Sequence, residues 1–239
     1  FVDPHAEIEQ VPTDPNQPMA AMFANKNSQL GKLADSLGVD MVPNQFVADR
    51  ENAQQIVIRN DRGLTEPVNY VGYIGLGPDY MADDVITANL STQMIFASAG
   101  EIFETGDAET NVLPLVTTSS VTDLMPVEDI KVQPNPEELL KQFESEDEVK
   151  NIAVRITGSA STAFPGGLEG QENENHRDES DGDINVIVVS DVDMIYDRFW
   201  VQVSNFLGQR VQMQTADNGR FIMSGLENLT GNSGLISIR

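Results

Sequence analysis

The run INVIVV, residues 184–189, sets the strictest condition on what this chain can fold into. Isoleucine and valine branch at Cβ and favour extended backbone, and five of these six side chains are apolar. Such a strand has no wet face, so other layers must cover it on both sides. A second run, VKNIAVRITGSA at 149–160, has the same character. Helical spacing is read at 19–38, where Met19, Met22, Phe23, Leu30, Leu33 and Leu37 recur before Gly38, and again around 194–207 and 218–229. A clearer helix is expected at 135–145, with Asn135 as N-cap and Pro136 in the first turn. GLISIR at 234–239 reads as a last strand. Strands alternating with helices predict an α/β fold: a layered sheet, at least partly parallel, with helices on both faces.

Short β-type runs are read at 39–49, 54–60 and 69–77, and 86–103 is ambiguous between strand and helix. Four prolines in residues 1–18 predict an extended lead-in. Residues 19–239 are then a single α/β domain, interrupted by a glycine- and charge-rich stretch at 164–183 that reads as a mobile acidic loop.

At 40% hydrophobic over 239 residues the chain can build a core. Its 38 acidic against 14 basic residues give a net charge of −24, which repels nucleic-acid phosphate and excludes it as a partner. With no cysteine there is no disulfide, thiolate metal site or cysteine nucleophile, and this suits an extracytoplasmic compartment. No stretch approaches the roughly 18 apolar residues of a membrane span. The opening FVDPHAEIEQ and the final apolar LISI are expected to continue into further segments, membrane ones included.

In open parallel sheets, ligands gather beyond the carboxyl ends of strands, and SDVD at 190–193 follows such an end. Asp191, Asp193 and Asp197 offer hard oxygen ligands of the kind that hold Mg²⁺ or Ca²⁺. Aspartate at a strand-to-helix junction is also an ordinary cap, and the oxygen spacing of a calcium loop is missing, so no metal and no cofactor is assigned. Asp191, Asp193 and Asn218 are the candidate contacts for a ligand or partner at this rim. YIGLGPD at 73–79 is neither a dinucleotide fingerprint nor a phosphate loop, since Pro78 removes a donor. The histidines, His5 and His176, both fall in segments read as mobile, so neither serves as a catalytic base and no catalytic residue is expected.

NIAVRITGSASTAFPGG (151–167), INVIVVSDVDMIYDRFW (184–200) and ADNGRFIMSGLENLTGNSGLISIR (216–239), in that order, resemble the extracytoplasmic region of GldG-type auxiliary components of ABC transport systems associated with gliding motility. LGKLADSLGVDMVPNQFVAD, ANLSTQMIFASAGEI and VLPLVTTSS resemble its earlier part. The resemblance implies a non-enzymatic accessory domain on the periplasmic, or otherwise extracytoplasmic, face of the inner membrane. It would be tethered by membrane segments outside this chain and would bind an ABC permease and ATPase or envelope proteins. The implied fold is flavodoxin-like or glutamine-amidotransferase-like. The alternative reading is a metal-dependent hydrolase or a glycan-binding module that uses the strand-end carboxylates, with Trp200 exposed on a groove in the glycan case.

Overall fold

The computed structural model describes residues 1–9, 24–59, 63–106, 108–132, 134–167, 176–206 and 208–231. In chain order these form α1 (Leu33–Leu37), β1 (Val39–Met41), β2 (Gln45–Asp49), β3 (Ala53–Arg59), β4 (Thr65–Leu76), β5 (Met94–Ala97), β6 (Ile102–Glu104), β7 (Asn111–Thr117), β8 (Thr122–Pro126), α2 (Pro136–Gln142), β9 (Asn151–Gly158), β10 (Ile184–Val189), β11 (Val201–Phe206), β12 (Gln209–Gln214) and α3 (Asn218–Leu229).

Every strand pairing is antiparallel, which overturns the expected parallel α/β, flavodoxin-like or amidotransferase-like layering. A parallel neighbour needs a long crossover, normally a helix, and the described residues between the strongest strands do not supply one. The described parts of 159–183 turn the chain back, so β10 lies antiparallel on β9, with Val189 opposite Ala153. On its other edge Ala153 faces Val116 of β7, and Asn151 meets Ile102 of β6, itself paired with β1. A second sheet runs β3-β4-β5, while β2 with β8 and β11 with β12 form two-stranded ribbons.

The expectation of a helix at 194–207 fails for a local reason. Residues 193–195 and 197–199 form single 3₁₀ turns, and VQVSNF then alternates in the period-2 manner of a strand, as β11. Of the helix expected at 19–38 only Leu33–Leu37 is helical among the described residues; Met19, Met22 and Phe23 lie outside them. The last strand, 234–239, and positions 168–175 of the acidic stretch also lie outside. α2 forms as its cap predicts: the Asn135 side chain accepts from the amides of Glu137 and Glu138.

The main core fills the space between the two larger sheets: Ile74, Leu76, Met94, Phe96, Leu115, Ile152 and Val189 are buried there with Phe221 of α3. A second cluster around Phe46, Tyr70 and Val71 packs under α2, and a third joins Val39, Ile102, Val154 and Val188 to Val2. The burial of Val2 shows that the first residues are part of the packing: the Val2 amide donates to the Val189 carbonyl at 2.9 Å, and Asp3 bridges Ser28.

Candidate functional site

β10 ends on Ser190, whose hydroxyl donates to the carbonyls of Gly100 and Ile152 at 2.6 and 3.0 Å. That stitching carries the chain into the interior, where a helix cap would have left it at the surface. Asp191 is fully buried, and its two oxygens accept from the amides of Ala97 at 2.7 Å and Met194 at 3.1 Å. The bond to Met194 spans three residues, but the N-cap of the 3₁₀ turn is Val192, no side chain caps it, and the helix expected to follow the aspartates is replaced by two 3₁₀ turns. Asp193 reaches across the fold and accepts from the amides of Glu7 and Ile8 at 2.6 and 3.2 Å. Asp3 completes the set, accepting from His5 at 2.7 Å and Val192 at 2.9 Å.

Oxygens of Asp3, Asp191 and Asp193 therefore lie within 4.8 Å of one another, all three residues being buried. Each of their six oxygens already receives a backbone N–H. These six bonds tie residues 3–8, 97 and 191–194 together, so the trio acts as a clasp for three chain segments.

A fourth carboxylate, Glu7, adjoins them. It accepts from the Tyr73 hydroxyl at 2.7 Å and from the Ser98 hydroxyl, and Ser98 holds a left-handed φ of 54° at the end of β5. Tyr73 stacks edge-on between Tyr70 and Phe199, and the buried Tyr70 hydroxyl has no partner among the described residues.

Crowding four acids together and largely out of water favours their protonated forms. Burial, with added repulsion from Asp193 and Glu7, lifts Asp3 from 3.8 to about 7. Burial is also the largest cause that raises Asp191, Asp193 and Glu7. His5, expected in a mobile segment, is buried instead, and desolvation together with Lys26 and Lys131 lowers it to about 4. It is held neutral.

Asn218 is buried at the start of α3. Its side chain accepts from the Ile95 amide at 2.9 Å and donates to the carbonyls of Ile95 at 2.7 Å and Met194 at 2.9 Å. Beside it, Asp217 accepts from the amides of Ser91 and Thr92; these bonds outweigh burial and lower its pKa. The structure thus gathers Asp191, Asp193 and Asn218 around the Met194 turn, but inside the protein. None presents its polar atoms to a glycan or substrate. Asp193 alone borders a groove of about 940 Å³, between residues 6–9 and 192–197. Trp200 is half-buried, with its Nε1 donating to the Ile195 carbonyl.

Asp3, Glu7, Tyr73 and Ser98 have no local signature in the sequence: Asp193 and Glu7 are 186 residues apart. The only hint is the apolar Phe1, Val2, Ala6 and Ile8 interspersed in a charged opening.

Residues 1–225 match the family described as an ABC-type uncharacterized transport system. No curated protein and no solved structure matches the chain.

Proposed function

This chain belongs to the family of ABC-type uncharacterized transport systems, with an accessory role in such a system, and we propose that it performs that role by docking, without chemistry of its own. One observation carries the reading: the strand-end polar groups Asp191, Asp193 and Asn218 are all spent on backbone bonds that hold the fold together. A catalytic carboxylate needs an oxygen facing the substrate, whereas a scaffold needs the opposite. The proposed partners are the permease and ATPase of the same system, together with envelope proteins. The proposed location is the periplasmic or otherwise extracytoplasmic face of the inner membrane, with membrane segments outside this chain as the tether. The absence of thiols suits that side. The GldG-type resemblance of 151–167, 184–200 and 216–239 further points to a gliding-motility system.

The test is affinity purification of the tagged protein from detergent-solubilised membranes of its source. We expect the permease and ATPase to co-purify, and the tag to be labelled by a membrane-impermeant reagent from the extracytoplasmic side. Recovery of the chain alone from the cytosol would refute the docking role and the location together.

A further inference from the structure

β11 and β12 stand apart from the rest of the molecule. Among the described residues the ribbon pairs with no other strand, and nearly every residue of it is exposed on both faces. Its register sorts the side chains. Gln202 faces Met213, Ser204 faces Val211 and Phe206 faces Gln209, so Phe206, Val211 and Met213 share one face. They are 67%, 40% and 55% exposed, and the face carries no charge. Asn205 faces Arg210 and Val203 faces Gln212 on the opposite face, where Arg198 at the base lines the same recess as Arg210. Neither arginine forms an ion pair among the described residues.

A two-stranded ribbon is marginal in water, and apolar groups in this number on one face call for a cover. The charge pattern says which. From Arg198 to Ala216 the sequence holds no acidic residue and two arginines, in a chain with 38 acids. Six extended residues reach about 20 Å, more than twice the roughly 8 Å over which salt screens the acidic body. Three exposed apolar side chains set among the uncharged Gln202, Ser204 and Gln209 on one face, with Arg210 on the other, make an arrangement that suits a membrane interface. The unpaired backbone of the two outer edges excludes deeper entry, because hydrocarbon offers it no partner, while the headgroup layer does. Trp200, half-buried at the ribbon's base, is of the type that favours that layer.

We propose that the β11–β12 ribbon rests in the headgroup region of an anionic lipid bilayer, with Phe206, Val211 and Met213 toward the acyl chains and Arg210 among the phosphates. This goes beyond the docking role and does not depend on it, since protein-free vesicles test it directly.

Flotation with vesicles of phosphatidylcholine, and of phosphatidylcholine with phosphatidylglycerol, at physiological ionic strength should show the protein rising with both and more with the second. Phe206→Ser with Met213→Ser should weaken binding to both roughly tenfold or more. Arg210→Gln should remove the preference for phosphatidylglycerol, about fivefold. All three positions are exposed, so circular dichroism and melting should be unchanged. Failure of the native chain to float, or flotation that the serine pair leaves intact, would overturn the proposal. So would a gel-filtration dimer, or a co-purifying permease, lost in the serine pair while vesicle binding persists, since the apolar face would then belong to a second copy or to a protein partner.

Discussion

Asp193 joins two parts of the chain that sequence distance keeps apart. Removing its carboxylate strips the Glu7 and Ile8 amides of their acceptors at a part-buried position beside the groove. Asp193→Ala should cost about 1–3 kcal/mol. Asp193→Asn should recover part of this, because its one oxygen serves two donors poorly but its neutral amide resembles the protonated acid that burial favours. Hydrogen exchange is the measurement: in the alanine variant, amides of residues 2–8 should exchange ahead of those in β9 and β10. Unchanged protection there would show that Val2 and Asp3 hold the segment without it. The buried Lys150 is a second case of this logic. Glu146 at 2.8 Å, Glu148 at 3.0 Å and Glu101 at 3.6 Å surround it, so that although burial pulls its pKa down, the three acids raise it overall. Its charge is compensated by the three acids around it.

At the scale of elements, α3 is held end-on. Asp217 and Asn218 grip the chain at 91–95, and the ring of Trp200 lies where a Cβ on Gly219 would sit, 2.7 Å from that position. Glycine is needed for that approach, not for any unusual dihedral. Asn218→Ala leaves the amide and carbonyl of Ile95 and the carbonyl of Met194 buried without partners, and should destabilise by about 3 kcal/mol. The protein has one tryptophan, so its emission reports this junction. We expect a red shift in Asn218→Ala well below the global melt, and a smaller change in Gly219→Ala, where the ring must tilt. An unchanged spectrum in both would mean that Trp200 is positioned by β11 alone.

For the whole molecule, the carboxylate cluster fixes how stability responds to pH. Asp3 is raised from 3.8 to about 7, so the folded state keeps a proton that the unfolded chain releases. The stability this confers is complete below 3.8 and is lost as pH rises through about 7. Asp191, Asp193 and Glu7 are shifted in the same direction and add to the loss. His5 opposes them: lowered from 6.5 to about 4, its share is present above 6.5 and lost as pH falls through 4. Tm should therefore fall as pH is raised from about 4 to 7. Asp3→Asn should flatten the curve near 7, and His5→Gln should steepen it below 6.5. A Tm that rises over that range would rule out shared protons in the cluster.

Local chemistry determined much of this by itself: β9 and β10 from their branched apolar runs, α2 from the Asn135 cap, and the lack of thiol chemistry from composition. Pairing direction was not legible. VQVSNF fits a strand's period as well as a helix's, and losing that helix removes the crossover a parallel sheet would need. Nor was the carboxylate cluster, since Asp3 and Glu7 become neighbours of Asp191 and Asp193 only when the first residues pack across β10. Propensity and capping act over a few residues and are written in the sequence, whereas pairing direction and buried charge depend on which distant segments meet, and only the packed fold decides that.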